Sequence, residues 1–173
     1  MILGVGIDIC DVNRIAKTLD RFNNRFINRC FTNIEKNKCN GTFNKASCFA
    51  KRFAAKEATS KALGTGINKG VYWKQIEVEN LKSGKPTINL YGNAKKKLES
   101  LLPKNMTSNI LLTITDEREY AQAFVIIEAI KKTLAGGPSC AEDGWRFVFN
   151  FAEWGFIFFL VFLICTIFKL KNS

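Results

Sequence analysis

Glu57 and Lys61 stand four residues apart in a segment rich in helix formers, so a helix sets them on one face. Glutamate four residues ahead of lysine is also the favoured order for an ordinary intrahelical ion pair, and alone the two support nothing more. Their surroundings add the chemistry. Lys51, Arg52, Lys56 and Lys61 crowd one segment that runs into the glycine-rich stretch Gly64 to Gly70, while Asp8 interrupts the apolar run Met1 to Ile9. Two carboxylates among lysines suit a shared cation and a phosphorylated ligand. Magnesium is the fitting ion, because it takes oxygen ligands, keeps several waters and is typically held by one or two carboxylates plus substrate phosphates. A glycine-rich loop lets backbone N–H groups approach a phosphate, although this one lacks the Walker A pattern.

The sequence narrows the alternatives. It has 173 residues and no histidine, which removes Ser-His-Asp and Cys-His nucleophile pairs, His-zinc centres and imidazole proton shuttles. Lys and Arg number 26 against 15 Asp and Glu, a net charge of +11, so polyanions, phosphorylated ligands or acidic protein surfaces are the expected partners. From Gly136 onward the charges cancel (Glu142, Asp143 and Glu153 against Arg146, Lys169 and Lys171), which leaves the whole excess in the first part. Nucleic acid is not expected as a partner, because the aromatic residues concentrate in the tail instead of interleaving with the basic cluster.

The elements that must position these residues follow from pattern. Met1 to Ile9 reads as a buried strand with Asp8 near its end. Asp11 or Asn13 then opens a helix whose apolar stripe is Val12, Ile15, Ala16 and Leu19. Its other face carries Arg14, Lys17, Arg21 and Arg25, a basic row if the helix continues, either a solvated face or a dock for an acidic helix. Asn37 to Phe43 reads as a loop, Ser47 to Leu63 as the second long helix with Gly64 as its stop, and Asn93 as the cap of a short lysine-rich helix. Gln75 to Asn80 with Thr87 to Leu90, and Ile110 to Thr115 with Ala121 to Ile130, read as two hairpins. The expected fold is α+β, an antiparallel sheet with packed helices. The six cysteines show no C-x-x-C pair and read as reduced thiols of a cytosolic chain.

The last part of the chain is a different material. Residues 1–133 form the folded domain on this reading, 134–144 a Gly- and Pro-containing linker and 145–173 a hydrophobic tail. Trp154 to Phe168 carries no charge, but about 15 helical residues span only about 22 Å of a hydrocarbon core roughly 30 Å thick. A tilted membrane anchor through residues 147–168, an interfacial segment and a tail packed on the protein's own apolar groove all remain open.

Gly4-x-Gly-Ile-Asp8-Ile, Lys51-Arg-Phe-Ala-Ala-Lys-Glu57-Ala-x-x-Lys61-Ala-x-Gly-Thr-Gly-Ile67, Gly84-Lys-Pro86, and Thr113-x-Thr-Asp116 with Tyr120-Ala121 resemble, in order and spacing, the holo-acyl-carrier-protein synthases of the 4'-phosphopantetheinyl transferase family. The resemblance covers about the first 130 residues. It implies transfer of 4'-phosphopantetheine from coenzyme A to a serine of apo acyl carrier protein, dependent on Mg2+, with release of adenosine 3',5'-bisphosphate, generally by a homotrimer with sites at subunit interfaces. By position, Asp8 and Glu57 are the implied magnesium ligands and Lys61 the cation beside the coenzyme A phosphates. Arg52, Gly64, Thr65, Gly66 and Thr113 line the nucleotide by the same resemblance. Arg14, Arg21 and Arg25 gain an acidic partner in the carrier protein. Glu57, directly or through a magnesium-bound water, is the expected acceptor of the serine proton. Many members carry histidine two residues before the Thr113 position, where this chain has Leu111. An inactive, membrane-tethered module that only binds coenzyme A or carrier protein is the alternative function.

Overall fold

The computed structural model describes residues 1–131. The expected linker, tail and membrane anchor lie outside the described residues. Among those described, no helix is long and apolar enough to cross a membrane.

Strand β1 (Ile2–Asp11) alternates from Gly4 to Cys10: Gly6 and Cys10 are buried and Asp8 nearly so, while Val5, Ile7 and Ile9 are exposed. Asp11 then opens helix α1 (Val12–Cys30), its carboxylate accepting from the Asn13 and Arg14 N–H groups at 2.7 and 3.1 Å. Helix α2 (Asn33–Asn40) and helix α3 (Lys45–Ala62) follow. Strands β2 (Ile76–Asn80) and β3 (Pro86–Leu90) make one antiparallel hairpin, helix α4 (Gly92–Leu101) comes next, and strands β4 (Met106–Glu117) and β5 (Tyr120–Lys131) make the second. The result is α+β with two antiparallel sheets, a three-stranded one ordered β1-β5-β4 and the separate β2-β3 pair.

Helix α3 is the centre of the core. Ala54, Ala55, Ala58 and Ala62 on it are buried against Ala121, Ala123, Val125 and Ile127 of β5 and their neighbours. Small residues bring helix and sheet backbones close together, and β1 takes this furthest. A Cβ on Gly4 or Gly6 would fall on the carbonyl oxygens of Ala62 and Ala58, so those two positions admit only glycine without moving the helix.

Several expectations need correction. Helix α1 does not continue as one rod: Asn23, at φ 33° and ψ −116°, breaks it, a left-handed φ that asparagine tolerates better than most residues. Arg25 therefore falls on a different segment from Arg14 and Arg21. The expected loop from Asn37 begins only at Gly41, because Glu35 closes the start of α2 by accepting from the Thr32 N–H at 2.8 Å. Asn93 does not cap α4; Tyr91 occupies that position, and the Asn93 amide donates to the Gly70 carbonyl instead. The cysteines are not all reduced thiols. Cys39 in the last turn of α2 and Cys48 in the first turns of α3 are joined, Cα atoms 5.4 Å apart, because Gly41 to Asn44 turns the chain back between them. The cytosolic reading thereby loses its cysteine support. Cys10 and Cys30 are free and buried, and burial pushes the Cys30 thiol up to about 11.

Candidate active site

The close approach of β1 to the second half of α3 brings Asp8, Glu57 and Lys61 to one place. Asp8 lies on the helix-facing side of β1, and Glu57 and Lys61 stand one turn apart on the facing side of α3. The Lys61 Nζ sits 2.8 Å from Asp8 Oδ1 and 3.0 Å from the Ile7 carbonyl oxygen. Glu57 is half-buried. Burial first, and then the negative charge of Asp8, push its carboxyl above the ordinary range, with Lys61 pulling the other way. A cation beside Glu57 and Asp8 would relieve the strain on the Glu57 charge. Among the described residues no cluster of three or more His, Cys, Asp or Glu could cage a metal. A pair fits an ion that takes its remaining ligands from water and substrate phosphate, as magnesium does.

Gly64 stops helix α3 as expected. Gly64 and Gly66 adopt φ of 73° and 62°, and the N–H groups of Gly64, Thr65 and Gly66 donate to the carbonyls of Lys61, Ser60 and Ser60 at 2.9, 3.1 and 3.1 Å. They close the C-terminus of α3. Each N–H has one hydrogen to give, so this loop does not present those three groups to a phosphate in this conformation. Its contribution is to hold the last turn of α3, and with it Lys61, in place.

Arg52 stands elsewhere. It is buried on the first half of α3, with Nη1 3.1 Å from the Cys48 Sγ, Nη2 3.2 Å from Asn80 Oδ1, and Nε without a partner. Burial pulls the pKa of its guanidinium down. It borders a cavity of about 430 Å³ together with Lys51, Ser47, Asp116, Gly84 and Pro86. Asp116 accepts from the Ser47 hydroxyl at 2.7 Å and from Lys51 at 3.0 Å, and the Ser47 bond leads in holding its carboxyl low. Residue type pointed to Lys51 but not to Ser47 or Asp116; Asp116 stands in the stretch Thr113-x-Thr-Asp116, and Gly84 and Pro86 in Gly84-Lys-Pro86, on which the family resemblance rests.

Thr113 is on neither side of α3. It pairs in the sheet with Phe124 and, through it, with Ile7, on the face turned away from the helices. That face also exposes Val5 (51%), Ile9 (59%), Leu111 (37%) and Phe124 (37%), an apolar patch across all three strands. In a single copy the expected site residues thus fall into three groups: Asp8, Glu57 and Lys61; the Arg52 cavity; and Thr113. On α1, Arg14, Lys17 and Arg21 line a groove with Asp11 and Phe22, and the Arg21 guanidinium lies 4.9 Å over the Phe22 ring. Arg25 is exposed beyond the break and outside that groove.

Residues 4–125 match the model of the 4'-phosphopantetheinyl transferase superfamily. The chain belongs to that superfamily. The phosphopantetheinyl transferases most similar to it include the holo-[acyl-carrier-protein] synthases of Rhizobium rhizogenes, 55% identical over 130 residues that cover 75% of this chain and 97% of the relative, and of Phenylobacterium zucineum, 50% identical over 142 residues that cover 82% and 100%. Among solved structures, the holo-[acyl-carrier-protein] synthase of Neisseria meningitidis superposes with a TM-score of 0.66 at 34% identity, covering 74% of this chain and 99% of that one. The Helicobacter pylori enzyme in complex with coenzyme A does so with a TM-score of 0.62 at 31% identity, covering 72% and 99%.

Proposed function

We propose that this transferase moves 4'-phosphopantetheine from coenzyme A to a serine hydroxyl of an apo acyl carrier protein in a magnesium-dependent reaction that releases adenosine 3',5'-bisphosphate. The juxtaposition of Asp8, Glu57 and Lys61 carries this reading. The serine oxygen attacks the phosphorus that bears the pantetheine arm, and the bond from that phosphorus to the bridging oxygen of the bisphosphate breaks. Negative charge gathers on the transferring and leaving oxygens. Asp8 and Glu57 would hold magnesium, which would supply Lewis-acid neutralisation of that charge. Lys61 brings a second positive charge from the adjacent helix turn. Glu57, directly or through a water, accepts the serine proton.

Substrate positioning supplies the remaining acceleration. Arg52, with Lys51 beside it, stands five residues before Glu57 on α3, about 7.5 Å along the helix axis, and binds an anionic part of the nucleotide in the cavity beside it. The groove of Arg14, Lys17 and Arg21 docks the acidic carrier, with Arg25 at its margin as a longer-range attraction. The exposed apolar sheet face is where copies of the chain assemble, as a homotrimer on the family pattern. Assembly would bring Thr113 of one copy toward the site of the next and unite the groups that one copy keeps apart. The setting is the cytoplasm, in fatty acid biosynthesis.

The test is mass spectrometry of apo carrier protein after incubation with the full chain, coenzyme A and Mg2+. One phosphopantetheine should be added, and Asp8→Asn and Glu57→Gln should each lower the rate at least about 100-fold while keeping the wild-type circular dichroism. Wild-type rates in both variants overturn the assignment.

A further inference from the structure

The carboxylate expected to hold a cation already holds one. Lys61 donates to Asp8 Oδ1 at 2.8 Å and to the Ile7 carbonyl at 3.0 Å, and the pair keeps contact with water, half of the Lys61 side chain and 17% of that of Asp8 being exposed. No second acidic group bonds the ammonium among the described residues. Its two acceptors lie on β1, one of them the very carboxylate required for a divalent ion.

Two cations on one carboxylate repel each other, and the doubly charged, compact ion competes better for oxygen lone pairs. The loser in this site is free to leave, because lysine carries a point charge on a flexible four-carbon stem and this one is half in solvent. A buried ammonium would have no such exit.

We propose that Lys61 is a displaceable counter-ion of Asp8: it neutralises the carboxylate in the free enzyme, a divalent cation evicts it, and the released ammonium becomes available to an incoming phosphate. This rests on the reading of Asp8 and Glu57 as the magnesium pair and adds an order to it. The lysine engages phosphate only after the ion has arrived, so the free site does not attract the coenzyme A phosphates with a bare ammonium.

The test measures Mn2+ binding to the full chain without coenzyme A, by water-proton relaxation, which reaches millimolar affinities. Lys61→Met removes the competitor and should bind Mn2+ about two- to fivefold more tightly than wild type, the ratio expected when a partly exposed ion pair no longer has to be broken. In 15N-lysine-labelled wild type, the Lys61 ammonium resonance should shift on addition of Mg2+ without nucleotide. Equal or weaker Mn2+ binding by Lys61→Met overturns the proposal, as does a Lys61 resonance that Mg2+ leaves unmoved. Asp8→Asn separates the two levels. If it binds Mn2+ as wild type does, the magnesium pair itself is wrong; if it loses binding while Lys61→Met gains none, the pair stands and the displacement fails.

Discussion

Helix α3 carries three lysines at intervals of five residues, each on a carboxylate from another element at nearly the same distance: Lys51 with Asp116 at 3.0 Å, Lys56 with Glu35 at 2.9 Å and Lys61 with Asp8 at 2.8 Å. Distance does not distinguish them; their surroundings do. Lys56 and Glu35 are wholly buried. The ammonium also donates to the carbonyls of Trp73 and Ile76, and the carboxylate accepts from the N–H groups of Thr32 and Val78. This is a closed polar node tying α2, α3 and β2 together. Burial pulls the Lys56 ammonium toward neutrality and Glu35 opposes that shift. Lys61 and Asp8 have the same chemistry but access to water, and are therefore exchangeable. A buried pair fixes structure, whereas an exposed one can be traded for substrate or metal. The largest expected effect follows: Lys56→Met strands Glu35 in the core and should cost about 3–5 kcal/mol in urea unfolding, whereas Lys61→Met should cost under about 1 kcal/mol. Equal losses would break the distinction.

Residue types and spacing made the second half of α3 legible in the sequence, because Glu57, Lys61 and the alanines between them obey helical periodicity; the apolar run Met1 to Ile9 was legible as a strand but not as one whose Val5, Ile7 and Ile9 face is exposed. The α+β architecture and both hairpins were legible for the same reason. What escaped was set by contacts distant in sequence. Helix α2 is polar and weakly patterned, and owes its place to Glu35 reaching Lys56 and Val78. Nothing local shows that Cys39 and Cys48 meet, or that Asn23 takes a positive φ and sends Arg25 away from Arg21. The glycine loop was ambiguous because glycine serves a helix stop and a phosphate cradle alike. Only the bonds from Gly64, Thr65 and Gly66 to the helix carbonyls separate the two uses.

An intermediate effect sharpens the comparison from the backbone side. The exchangeable pair depends on β1 lying against α3 closely enough for Asp8 to meet Lys61, and Gly6 allows that approach. In Gly6→Ala the new methyl falls on the Ala58 carbonyl oxygen and near the Ala62 nitrogen. Backbone cannot step aside as a side chain can. We expect a loss of about 1–3 kcal/mol in urea unfolding. Because the strand and helix move apart at the site, phosphopantetheine transfer should fall by more than the folded fraction does. Activity proportional to folded fraction would mean that the approach serves packing alone.

The smallest effect concerns the remaining pair, Lys51 with Asp116, which is partly exposed on both sides. The Ser47 hydroxyl first, then Lys51, lower the Asp116 pKa in the folded chain, while burial opposes them. A carboxyl whose folded pKa lies below its unfolded value stabilises the fold above the unfolded value, and that contribution disappears as pH falls through the folded one. Asp116→Asn should therefore be less stable than wild type at pH 7, by less than about 1 kcal/mol given solvent screening of an exposed pair. The gap should close as pH is lowered below about 4, the ordinary value of an aspartate. Urea midpoints of the two chains at pH 7 and at successively lower pH measure it. A gap that stays constant into acid would show that Asp116 acts through hydrogen-bond shape, which asparagine fails to copy at any pH, and not through its charge. That would move this pair away from Lys61 and Asp8 and toward the structural kind represented by Lys56 and Glu35.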